Sequence, residues 1–130
     1  FPGEIFEIQR RKYPRIDTPK NSRATFIVKG KQTMNACKVI DISKGGTWLS
    51  GKISYQLEPG IIIGPLTLNL TLDKYPKEIH EINIPEGKIT RVISLHDNEK
   101  SFGVCFEILD SERELVKKYI DIRLWESLKG

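Results

Sequence analysis

Histidine and cysteine are scarce in this chain, at two residues each, and the scarcity removes whole classes of chemistry. His80 and His96 have no Ser or Cys partner in a nucleophile-type motif, and no HExxH, GxSxG or P-loop pattern occurs. Catalysis is therefore not expected; lone histidines of this kind are by default surface residues or satisfied core residues. Cys37 and Cys105 lie far apart, each in an apolar stretch, with no metal-ligand spacing. That reads as two reduced, buried thiols of a cytosolic protein, with no metal site. Long hydrophobic runs are missing too. The longest, IIIGPLTLNLTL from Ile61, falls short of the roughly 20 residues a membrane helix needs and is interrupted by Pro65. No secretory signal, internal repeat or low-complexity tract is visible. The chain begins on Phe1 rather than Met, the start expected of a piece of a longer protein.

Charge, by contrast, is plentiful and uneven. Residues 1–40 carry nine Lys and Arg against three Asp and Glu, a balance of +6, whereas residues 41–130 carry twelve against fourteen, a balance of −2. At 130 residues and 38% apolar composition the default is one soluble globular domain. Its basic character belongs to the front third, which points to an anionic partner met by the N-terminal region.

The first 23 residues are polar and broken by Pro2, Pro14 and Pro19. Seven short β-rich runs follow: ATFIVKG from Ala24, MNACKVIDI from Met34, TWLSGKI from Thr47, the run from Ile61, EIHEINI from Glu78, GKITRVISL from Gly87 and FGVCFEIL from Phe102. Alternation is clear in EIHEINI and VCFEIL, and PEG and DNEKS read as hairpin connections. Strands at this spacing imply an antiparallel barrel or sandwich. The period then changes. Ser111 with Glu114 makes a capping box, and Leu115, Val116, Tyr119, Ile120 and Ile122 share a broad face, which predicts an amphipathic helix over 111–128 covering an end or flank of the sheet.

Two stretches carry functional information. QRRKYPR, Gln9 to Arg15, crowds Arg10, Arg11, Lys12 and Arg15 into seven residues. Pro14 biases Tyr13 away from helical dihedrals, so Arg11 and Arg15 are expected on an extended or turning segment. DISKGG, Asp41 to Gly46, links two strands. It can be a plain tight turn, closed by Asp41 or Ser43 with the glycines supplying positive φ. It can also be a ligand platform: Asp41 accepts from the N1–H and N2–H₂ donors of a guanine, Ser43 offers a hydroxyl, and Gly45 and Gly46 permit close approach. An arginine fork matches the N7 and O6 acceptors of the same base, clamps phosphate, or stacks on the ring.

Arg11-x-x-x-Arg15 followed by Asp41-x-Ser43-x-x-Gly46 resembles the paired signature of PilZ domains, bacterial receptors for cyclic di-GMP. The order of elements around it matches over nearly the whole chain, with GKITRV and FGVCFEIL as the late strand pair and a closing helix. The resemblance implies an all-β fold, a six-stranded antiparallel barrel with a C-terminal α-helix over residues 16–130, preceded by a linker or switch segment at 1–15. It implies that Arg11 and Arg15 bind phosphates and guanine Hoogsteen edges or stack on the bases, with Arg10 as a third ligand contact, that Asp41 meets a Watson–Crick edge with Ser43 beside the phosphates, and that Gly45 and Gly46 allow close approach. Gln9, Trp48 and Arg91 are weaker candidates; Trp48 stands where small or aliphatic residues are common in the family, and is either a core or rim tryptophan or a stacking partner.

QRRKYPR is also similar to the linker of two-domain motility regulators of the flagellar-brake type, which implies an upstream domain and an effector protein. The expected mechanism is ordering of the mutually repelling arginines onto the barrel by a dianionic ligand, a cytoplasmic switch acting on motility, biofilm or virulence. Two rivals are a basic barrel binding single-stranded nucleic acid, disfavoured because only Tyr13 is interleaved with the cations, and a ligand-free protein adaptor.

Overall fold

The structure is a computed structural model that describes residues 15–54, 56–75, 77–107 and 110–129, with residues 127–129 described as backbone only. Each of the seven apolar runs forms a strand. They are β2 (Arg23–Val28), β3 (Met34–Ser43), β4 (Gly46–Lys52), β5 (Ile62–Leu70), β6 (His80–Ile84), β7 (Gly87–Ser94) and β8 (Glu99–Phe106). An eighth, β1 (Ile16–Asp17), is only two residues long and has no alternation to betray it.

Six of these close on themselves. All pairings are antiparallel and run β3–β2–β5–β7–β8–β4, and β4 returns to β3 through Lys38↔Ser50 and Ser43↔Gly46. The closed six-stranded barrel expected of the PilZ resemblance is therefore present. Period-2 alternation fills it: Ala24, Phe26 and Val28 of β2 and Phe102, Val104 and Phe106 of β8 point inward, where they are buried with Leu49, Ile63, Leu66 and Ile89. The Phe26 and Phe102 rings meet edge to face at 5.6 Å.

The outer two strands are extensions. β1 pairs with β3 at Ile16↔Ile42 and Asp17↔Asp41, beyond the part of β3 that pairs with β2. β5 pairs with β7 at its start and with β6 over Leu66–Leu70. The PEG connection is thus not a hairpin, because β6 and β7 follow one another along the same edge of β5. Gly64 makes room for the bend, since a Cβ there would fall 2.2 Å from the Pro85 carbonyl oxygen. DNEKS contains a hairpin turn but a shorter one than expected: Asp97 and Asn98 make it, with φ of 59° and 62°, and Glu99, Lys100 and Ser101 already belong to β8.

The helix α1 (Asp110–Lys129) lies over β6 with β1 and β3 alongside. It starts one residue before Ser111, so Ser111 is a helical residue and not the cap. Its buried stripe is Val116, Tyr119, Ile120, Arg123 and Glu126; Ile122 is half-buried and Leu115, expected inside, is exposed. The stripe is rotated because a charged pair completes it. Arg123 donates to Asp73 Oδ2 at 2.8 Å and to Glu126 Oε1 at 3.3 Å, and Glu126 in turn accepts from the backbone N–H of Lys74 at 2.9 Å. Satisfied in this way, both charges can be buried. Among the described residues no helix is long and apolar enough to cross a membrane.

Candidate functional site

The DISKGG turn is a two-residue hairpin in which Lys44 and Gly45 connect Ser43 to Gly46. Ser43 is buried and closes it: Oγ donates to the Gly46 carbonyl and accepts from the Gly45 N–H, both at 3.3 Å. The Gly45 carbonyl accepts from Phe106 N at 3.0 Å, tying the turn to the end of β8. Gly46 is not required by positive φ, contrary to the sequence expectation. It is required by packing, since a Cβ would lie 2.7 Å from the Val104 carbonyl oxygen.

Arg15 arrives at this turn through β1. The antiparallel register Ile16↔Ile42 puts the preceding residue, Arg15, beside Ser43, and Arg15 is exposed there. Gln9, Arg10 and Arg11 lie outside the described residues.

Two β-bulges aim the remaining candidates. In β3, Cys37 and Val39 face the core, so strict alternation would send Asp41 inward and Ile42 out. The register against β4 shifts between Val39 and Asp41, Ile40 becomes the extra residue, and the outcome is reversed: Ile42 is fully buried and Asp41 pairs across to Trp48 on the outer face. β7 repeats the device. Its register against β8 shifts between Ile89 and Arg91, so Val92 packs against the core and Arg91 stays exposed, opposite Gly103. Asp41, Trp48, Gly103 and Arg91 therefore form a cross-strand row over β3, β4, β8 and β7.

Next to this row lies an open groove of about 1230 Å³. It gathers Arg15, Ser43, Gly45, Gly46, Trp48 and Arg91 onto one surface. Asp41 is not part of the lining but borders it, next to Trp48. Five cations, Arg15, Lys44, Lys88, Arg91 and Arg113, face two acids, Glu86 and Glu107, so the groove favours an anion. Lys44, Lys88, Thr90 and Arg113 were not among the sequence candidates. Lys44 sits inside the DISKGG motif and could have been read there; Arg113 comes from the first turn of α1, and no sequence signal links it to the hairpin. Cys105 also lines the groove and is exposed, which corrects the expectation of two buried thiols: Val104 and Phe106 take the inward positions of β8 and Cys105 the outward one. Cys37 is buried as expected.

The family profile of the PilZ domain matches residues 9–121. Solved structures share the fold at low identity. The Bacillus subtilis inhibitor of motility MotI/DgrA is 16% identical with a TM-score of 0.69, over 91% of this chain and 53% of its own. The K. pneumonia MrkH–c-di-GMP complex is 20% identical with a TM-score of 0.71, over 94% and 56%. The PilZ domain of Escherichia coli YcgR with c-di-GMP is 14% identical with a TM-score of 0.67, over 93% and 96%. The chain thus spans about half the length of MotI/DgrA and MrkH. Comparison with curated proteins finds no match.

Proposed function

We propose, from the premise that this chain belongs to the PilZ domain family, that it is a receptor module for cyclic di-GMP rather than a catalyst. The observation that carries the reading is the meeting of Arg15 with the Ser43–Gly46 turn on one cationic groove. These belong to the two motifs, they stand at opposite ends of the segment that forms β1, β2 and β3, and a doubly anionic purine dinucleotide suits both. Arg15 offers a fork to phosphate or to a Hoogsteen edge, Asp41 an acceptor for guanine donors, and the turn an approach for the sugar–phosphate ring. Arg10 and Arg11 are assigned the remaining anionic contacts.

The magnitudes are consistent. Micromolar affinity needs about −8 kcal/mol net. Ordering on binding costs a few kcal/mol, and contacts of about 1–3 kcal/mol each from three arginines and one aspartate, together with stacking of the two bases, cover both. A single contact would not.

The output we assign is control of motility or a related surface behaviour through an attached domain and an effector protein. It is supported by the likeness in fold to the B. subtilis inhibitor of motility and by the share of that protein's length this chain spans.

Isothermal titration tests the reading. Cyclic di-GMP is expected to bind, and Arg11→Ala and Arg15→Ala are each expected to weaken binding at least about tenfold. Unchanged affinity in both variants, or no heat at millimolar ligand, overturns it. A gel shift with mixed-sequence oligonucleotides and cyclic di-GMP as competitor separates it from single-strand binding, in which the oligonucleotide would hold the groove against the competitor.

A further inference from the structure

Trp48 occupies the middle of the outer row, and its indole has a defined seat. Its Nε1–H donates to Ser101 Oγ at 2.5 Å. The opposite end of the ring system covers Gly103, where a Cβ would stand 2.9 Å from both Cε3 and Cζ3. Ser101 and Gly103 are alternate residues on the outer side of β8, about 6.5 Å apart in a strand. An indole touching both at its two ends lies lengthwise along the strand with one face down on the sheet. Only glycine allows this at position 103, and the hydroxyl at 101 fixes the rotation. The other face looks into the groove, between Asp41 on one neighbouring strand and Arg91 two strands away on the other side.

Held flat and half-buried, the ring covers Gly103 on one side and leaves apolar area facing the groove on the other. A flat, preorganised aromatic flanked by an acceptor and a guanidinium suits one chemistry, a purine stacked on the ring with its edges within reach of polar groups.

We propose that Trp48 is the stacking platform for a guanine base of the bound dinucleotide, with Ser101 and Gly103 as its positioning residues. This rests on the receptor reading above and assigns the part of that groove which decides where a base sits. Stacking of this kind holds the base's plane; Asp41 and Arg91 supply the preference for guanine at its rim.

The test uses the whole chain and its two tryptophans, Trp48 and Trp125. Trp125 lies on α1, so Trp125→Phe leaves Trp48 as the only reporter. Titrating that variant with cyclic di-GMP is expected to quench its emission in step with the heat of binding. Trp48→Leu is expected to lose at least about tenfold in affinity and Trp48→Phe to retain most of it. Gly103→Ala, which lifts the ring, is expected to weaken binding as Trp48→Leu does. Full affinity in Trp48→Leu, or heat of binding without a change in Trp48 emission, overturns the platform and leaves the receptor standing. No heat with the unmutated chain overturns the receptor and the platform with it.

Discussion

Arg123 of α1 donates its Nε–H to the backbone carbonyl of Asp17 at 3.0 Å, across a separation of 106 residues. Asp17 belongs to β1, two positions from Arg15, so one buried guanidinium joins the strand that presents Arg15 to the helix that flanks the barrel. Burial opposes the charge on Arg123. Its bonds to Asp73 and the charge of Asp17 outweigh that and hold its pKa above the ordinary value.

Removing this guanidinium leaves Glu126 buried without its cation and unties β1. Arg123→Ala is expected to cost about 3 kcal/mol, the lower end for a broken buried pair because Asp17 and Asp73 can turn to water. Urea unfolding measures it. Arg123→Met combined with Glu126→Leu is expected to recover part of the loss, since an apolar pair leaves no orphaned charge.

Stability is expected to fall in alkali. Burial pushes the Cys37 thiol from 9.0 up to about 12 and the Tyr119 phenol from 10.0 up to about 12. The unfolded chain therefore releases these protons first. The stabilisation is complete below about pH 9 and is lost as pH rises through about 12, because over that interval the folded state binds more protons than the unfolded one. Urea midpoints compared at about pH 8 and about pH 11 should show the decrease, and Cys37→Ala should shrink it.

The two thiols should differ sharply toward a thiol-reactive disulfide. Cys105 is exposed and should react at once, whereas Cys37, buried and protonated, should react only as the protein unfolds. Cys105→Ser should abolish the fast phase. Two equal fast phases would contradict the placement of Cys37 in the core.

Gly46→Ala should destabilise by about 1–3 kcal/mol, because the Val104 carbonyl that its Cβ meets at 2.7 Å is backbone of the adjoining strand. A thermal melt reads this directly, and cyclic di-GMP binding should weaken with it as the turn shifts.

Arg15→Lys should weaken ligand binding nearly as much as Arg15→Ala. It keeps the charge but loses the planar fork, and a point charge does not replace a bidentate grip. Calorimetry showing near-native affinity for Arg15→Lys would mean that Arg15 acts only through the field of the groove.

Much of the barrel was legible because alternation is written along each strand. The misses have particular causes. β1 is too short to show a period. Glu99 to Ser101 look like turn residues, yet pair with β4. Leu115 was placed inside by helical period, while the helix turned toward Arg123 and Glu126, which as charged residues read as solvated. The phase break in KVIDI, where two apolar residues precede Asp41, is a visible sign of the first bulge, and the two successive polar residues between Ile89 and Val92 are a sign of the second. In the candidate site, Arg15, Ser43, Gly45 and Gly46 were foreseeable from the motif pair, whereas Lys88 and Arg113 come from distant elements.

By itself the sequence determined seven of the strands and the closing helix, and that a cationic run and a D-x-S-x-x-G turn share one chain. Those properties depend on neighbours a few residues apart. Only the tertiary structure decided that Asp41, Trp48, Gly103 and Arg91 form one row, and that Arg123 is buried. Cross-strand order depends on bulges and on closure of the barrel, and the burial of a charge depends on partners as far as 50 and 106 residues away.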